Sequence, residues 1–170
     1  QPVVIDHRPG ATSTIGLGLA AKSPPDGYTL VWGSTSSLSM GSALYSSLPY
    51  DPVRGFAPVT PVVAFPNVLV VNAATPVNTT AEFIEYAKAR SGPVTFASSG
   101  SGSTNHLTAA LFQSQTKIRV THVPFKGGGP ALIDLMGGHV EAMFATVPSA
   151  VAHVKSGKLK ALMLTSSARK

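Results

Sequence analysis

Ser98-Ser99-Gly100-Ser101-Gly102-Ser103-Thr104-Asn105-His106 stands between a strand-like run, residues 94–97, and a helix-like run, residues 106–115. In the helical run Leu107, Ala110 and Leu111 recur at core-facing spacing. Glycine lets the backbone turn with its N–H groups exposed. Ser103 or Thr104 can cap the helix that follows, so the positive end of its dipole faces outward. A plain capped turn needs one glycine and one hydroxyl; this loop carries two glycines, four serines and a threonine. Its chemistry is that of an anion cradle. Stricter motifs fail. No Gly-Lys-Ser/Thr follows, as a P-loop requires, and the order G-x-S-x-G of a nucleophile elbow is absent. Asn105 stands where a dinucleotide fingerprint needs its third small residue. Gly16-Leu17-Gly18 lies deep in a helical stretch and reads as helix packing.

Outward from this loop the chain alternates. Strands are expected over residues 3–6, 28–32, 57–64, 67–72, 94–97, 119–123, 140–145 and 159–165. Helices are expected over 12–22, from the Ser34 loop to Tyr45, and over 80–89, 106–115, 131–136 and 148–155. Thr79 or Thr80 caps the third of these, with Glu82 and Phe83 in its first turns. Such alternation implies α/β architecture, parallel sheets with crossover helices, and ligands where strand C-termini meet helix N-termini. Three more strand-to-helix loops share the cradle's character: residues 8–12, 33–37 and the Gly127-Gly128-Gly129 loop of 124–130. Trp32 and Phe125 fit a pocket wall or the core, the core being the expectation for Trp32.

Composition narrows the function. The 170 residues are 44% hydrophobic and 12% charged, enough to bury a core. Apolar runs such as 68–71 and 142–145 are far shorter than the roughly 20 residues of a membrane span. There is no initiator Met and no signal peptide, so a processed or truncated chain is expected. Cysteine is absent, which excludes disulfides, thiolate metal sites and cysteine nucleophiles. The net charge of +6 is uneven: residues 1–85 carry three basic and five acidic side chains, residues 86–170 ten and two. The basic residues are scattered rather than interleaved with aromatics, which argues against nucleic acid and leaves a bias towards anions. Five histidines show no metal-ligand spacing, and seven acids are too dispersed for paired acid–base chemistry. No metal, cofactor or catalytic residue is expected.

At these motifs the sequence resembles the Bug family, the periplasmic receptors of tripartite tricarboxylate transport systems. The resemblance rests on Val3-Val4-Ile5-Asp6-His7-Arg8-Pro9-Gly10-Ala11, Pro25-Asp26-Gly27-Tyr28-Thr29-Leu30 and Leu48-Pro49-Tyr50-Asp51-Pro52. It continues through Gly100-Ser101-Gly102-Ser103 with His106-Leu107, Val123-Pro124-Phe125-Lys126-Gly127 and Gly157-Lys158-Leu159-Lys160-Ala161-Leu162. It implies a type II periplasmic-binding-protein (Venus flytrap) fold, with one complete lobe and part of the other. Residues 1–70 would be a partial first lobe with the first hinge strand, 71–158 the second lobe, and 159–170 the return hinge strand. The family's opening strand and its C-terminal return to the first lobe are missing. The first lobe is therefore expected to be disordered or completed by another chain, through strand exchange or a symmetric dimer.

In function the resemblance implies a non-enzymatic receptor that captures a small carboxylate and passes it to membrane transporter subunits. The family holds its ligand carboxylate by backbone N–H groups, hydroxyls and ordered waters without an obligatory arginine. By that rule Ser34 and Thr35 of lobe one, and Ser99, Ser101, Gly102, Ser103 and Thr104 of lobe two, are the expected ligand-binding residues, followed by Lys126, Gly127 and Thr146. Two other readings compete. The effector-sensing domain of a LysR-like regulator would need a helix-turn-helix, which this chain does not supply. A serine hydrolase using Ser101 or Ser103 would need a base and an orienting acid in reach.

Overall fold

The computed structural model describes residues 2–166, which fall into two units, one ending at Thr60 and the other beginning at Pro61.

In the second unit five strands and four helices alternate. They are β1 (Asn67–Asn72), β2 (Val94–Ser98), β3 (Val120–Pro124), β4 (Ala142–Thr146) and β5 (Leu159–Leu164), with α3 (Thr80–Ala89), α4 (Thr104–Thr116), α5 (Gly128–Met136) and α6 (Val147–Lys155) between them. The strands form one sheet in the order β3-β2-β4-β1-β5. The parallel sheet expected from the alternation holds for β2 with β3 and with β4. It fails at β1, which runs antiparallel to both β4 and β5. No crossover helix precedes β1 in this unit, so nothing constrains its direction to that of the others.

Helices cover both faces. On one, Phe83 of α3 and Phe112 of α4 pack with Leu69, Val71, Phe96 and Phe144 of the sheet. The four phenylalanine rings lie 5.5–6.4 Å apart between centroids. On the other, Leu132 and Leu135 of α5 and Ala150 of α6 meet Val68, Val70, Met143 and Ala145. Consecutive β1 residues thus serve opposite cores, and the strand is buried on both faces, as a central strand of an α/β sandwich must be. Local signals set the helix starts. Thr79 accepts a hydrogen bond from the Glu82 N–H at 3.1 Å, and Glu82 accepts one from the Asn78 N–H at 2.6 Å. The Gly127–Gly129 loop is shorter than the sequence suggests: Gly128 and Gly129 form the first turn of α5, with Gly127 as its N-cap. At a helix end the entropic penalty of glycine is small beside the dihedral freedom that Gly127 uses at φ 119°.

The unit at residues 1–60 has no described strand. Residues 3–6, 28–32 and 57–60, expected as strands, form no strand, and neither do residues 61–64 of the second unit. Val3, Val4, Ile5, Leu30 and Trp32 are all more than 60% exposed, which corrects the expectation that Trp32 belongs to a core. Strand propensity without a partner ladder leaves backbone groups to water. What holds this unit is α1 (Thr14–Ala20), a π turn (Ser36–Met40) and α2 (Gly41–Leu44). Gly18 of α1 packs on Pro49 so closely that a Cβ would sit 2.9 Å from its Cγ, which bears out helix packing as the role of this glycine. Tyr50 donates to the Ser37 carbonyl at 2.7 Å.

Candidate functional site

The C-terminal ends of β2 and β4 and the N-terminal ends of α4, α5 and α6 converge on a cavity of about 560 Å³ within the second unit. Its polar wall is Ser99, Asn105, Gly128, Gly129, Thr146 and Ser149. Its apolar wall is Leu132, Ile133, Met136 and Met143, and His153 also lines it. The parallel β2 and β4 direct their carboxyl ends here, the position where ligands bind in open α/β sheets.

Asn105 organises the floor. It is 4% exposed; its Oδ1 accepts from Ser99 Oγ at 2.6 Å, and its Nδ2 donates to the Phe144 carbonyl and reaches Asn67 Oδ1 at 3.5 Å. One side chain on α4 therefore ties the end of β2 to β4. Gly128 and Gly129 leave the other wall open, since a Cβ on either would meet nothing within 4 Å. At α6, Ser149 Oγ donates to the Thr146 carbonyl at 2.8 Å and lies 2.8 Å from Thr146 Oγ1. Pro148 sits in the first turn, where a missing N–H costs nothing. Such a wall offers N–H groups, hydroxyls and the positive ends of helix dipoles, which suits an anionic head group. The Leu132, Ile133, Met136 and Met143 side chains suit an apolar body.

Of the residues expected from sequence, Ser99 and Thr146 line this cavity. The others of the cradle do not line it. Ser103 caps α4 by accepting from the His106 N–H at 3.3 Å, and the Gly102 N–H is spent on His106 Nδ1 at 3.1 Å. Gly102 has φ 80°, a conformation that favours glycine. Ser101 is exposed and Thr104 opens α4; neither is among the lining residues. Lys126 is exposed and Gly127 precedes the two lining glycines. Ser34 and Thr35 belong to the first unit, where Ser34 and Ser37 cap one another reciprocally through hydroxyls 3.1 Å apart. Sequence reasoning reached the Gly127–Gly129 loop but chose Gly127 from it rather than Gly128 and Gly129, and it missed Asn105, Ser149 and His153 as lining residues. Thr146-Val147-Pro148-Ser149, a hydroxyl cap followed by an early proline, was the signal for Ser149.

Behind the cradle the His106 and His122 rings stack with centroids 3.8 Å apart. Ser98 Oγ lies 2.6 Å from His122 Nε2. Burial first, and the neighbouring His106 second, push the His122 imidazole below the usual histidine range. The Ser98–His122 contact has the spacing of a nucleophile and its base, yet Ser98 is 1% exposed and hydrogen-bonded to its own loop at Gly100. Among the described residues the ion pairs are Arg8–Asp6 and Arg90–Glu141, so no histidine has an orienting carboxylate. Also among the described residues, no group of three or more His, Cys, Asp and Glu is placed to hold a metal, and no helix is long and apolar enough to cross a membrane.

Known proteins resemble this chain along nearly its whole length. Protein BugT of Bordetella pertussis is 42% identical over 170 residues, which are 99% of this chain and 52% of that protein. The structure of R. palustris Rpa4515 with adipate superposes with a TM-score of 0.94 at 34% identity, covering 98% of this chain and 56% of that one. MatC from Rhodopseudomonas palustris with bound malate gives 0.85 at 32% identity, covering 94% and 54%. The chain thus spans about half the length of the relatives it matches. The family described as the tripartite tricarboxylate transporter family receptor matches residues 1–170 from end to end. With the α/β fold and the hydroxyl-lined cavity, that match makes this chain a member of the tripartite tricarboxylate transporter receptor family.

Proposed function

We propose that this chain is the larger part of the ligand-binding body of a periplasmic receptor, which captures a small organic carboxylate for a tripartite tricarboxylate transport system and performs no chemistry on it. The observation that carries the reading is the cavity in which the starts of three helices and the hydroxyls of Ser99, Thr146 and Ser149 face one space of about 560 Å³. That volume suits a small organic acid rather than a bare ion or a polymer. Hydrogen bonds to a charged group contribute roughly 1.5–3 kcal/mol each, so three or four support micromolar affinity. The relatives solved with adipate and with malate supply the ligand class. In the receptor β1 and β5 are the hinge strands, Ser99 and Thr146 meet the carboxylate, and the loops that carry Ser101, Gly102, Ser103, Thr104, Lys126 and Gly127 shape that wall. Its partners are the membrane subunits of the transport system, and its location is the periplasm.

The test is native mass spectrometry of the full-length receptor, followed by calorimetric titration of the acid it carries and of adipate and malate. A co-purified carboxylate, or micromolar binding of either probe, is the expected result. A protein that binds none, or that turns over an ester in a Ser101- or Ser103-dependent manner, overturns the proposal.

A further inference from the structure

The stacked histidines lie outside the cavity, yet each is tied to its wall through an adjacent residue. His122 holds Ser98, whose neighbour Ser99 lines the cavity. His106 holds Gly102, and its own neighbour on α4 is Asn105, the residue that fixes the floor. The Gly102 N–H points at His106 Nδ1, so this nitrogen carries no proton in the structure. Adding one places two N–H groups head to head, and the contact cannot survive. A second proton on His122 would set two cations face to face at 3.8 Å. From β2, His122 faces the uncharged Ser98; from α4 it faces His106; Lys126, beyond the end of β3, is exposed. Among the described residues no carboxylate is ion-paired to either ring to offset such charges.

We propose that the His106–His122 stack is a proton-operated latch: with both rings neutral it holds the Ser98–Ser103 loop, and with it Ser99 and Asn105, in the geometry that forms the cavity wall, and protonation releases that loop. The receptor would then lose its preformed wall on acidification. The latch itself rests on the histidine geometry alone, so it stands or falls separately from the identity of the ligand.

The experiment is a pH titration of this chain by nitrogen-15 and carbon-13 NMR, following the Gly102 and Ser99 backbone amides, the Asn105 side-chain amide and the histidine ring carbons. The three amides should move together with the ring carbons of the stacked pair. Hydrogen exchange at Gly102, corrected for its intrinsic pH dependence, should rise on the order of tenfold as its acceptor is lost. His106→Gln retains an acceptor for the Gly102 N–H but cannot titrate, so the three amides should stop responding to pH. His122→Phe keeps a stacked ring that cannot take a charge, and the Gly102 amide should respond less to pH than in the wild type. A Gly102 amide that stays fixed while both rings titrate overturns the latch, even with wild-type protein alone. So does a His106→Gln variant whose amides follow the wild-type curve.

Discussion

Replacing Asn105 by Ala tests whether one buried amide fixes the floor of the cavity. The substitution removes the 2.6 Å bond from Ser99 and the donor to the Phe144 carbonyl; the 3.5 Å contact with Asn67 is too long to count. Each well-formed bond contributes a net 0.5–1.5 kcal/mol, and a buried carbonyl left without its donor adds to the loss. Alanine recovers a few tenths of a kcal/mol in helix propensity. The expected cost is about 2–3 kcal/mol. For a unit of this size each kcal/mol moves the midpoint by roughly 4–8 °C, so thermal unfolding should shift down by about 10–20 °C. Far-UV circular dichroism is the assay, because among the described residues the helices of eight residues or more and all the strands lie in the second unit. The single tryptophan, Trp32, reports on the first unit and should not follow the shift. Leu111→Ala, at a 58% exposed position, is the control and should change stability by less than about 0.5 kcal/mol. A loss for Asn105→Ala no larger than that of the control would refute the account of the floor.

Ser103→Ala removes the α4 cap and should cost about 1 kcal/mol in chemical denaturation, with Ser103→Asp recovering most of it. Because the folded-state pKa of His122 is lowered, the unfolded chain binds more protons, so stability is full above the unfolded value and falls as pH drops towards the folded one. Melting temperature should therefore decline from neutral pH towards mildly acidic pH, and His122→Phe should flatten the decline. Gly128→Ala meets open space and should leave stability within about 0.5 kcal/mol, although its methyl group joins the cavity wall. Trp32, at 66% exposure, should be readily quenched by acrylamide.

The second unit was legible because its signals are local. The Thr79 and Glu82 side chains sit at the spacing of a cap, and the apolar runs of β2, β4 and β5 are bounded by turn residues, so their order could be read residue by residue. The direction of β1 was not legible, because it is set by pairing with strands more than 70 residues further on. The same holds for residues 3–6 and 28–32: β-branched and aromatic residues make a strand only beside another, and that partner is not a property of the segment. At the site, the cradle was recognised as a strand-to-helix loop, but hydroxyls such as Ser103 are consumed as caps. The inward-facing Asn105 and His153 depend on helix phase relative to a cavity, which periodicity does not carry when the lining residue is polar.

The pairing of β1 with β5 brings the two ends of the sandwich together: the Thr165 N–H donates to the Asn67 carbonyl at 2.9 Å, and the Asn67 N–H donates to Thr165 Oγ1 at 3.0 Å. Ninety-eight residues of chain leave and return within one hydrogen bond. A segment with adjacent ends is a cassette. It can be spliced into a surface turn of an unrelated protein without stretching either junction, or closed by a short linker and reopened elsewhere, for example at the exposed Ser91.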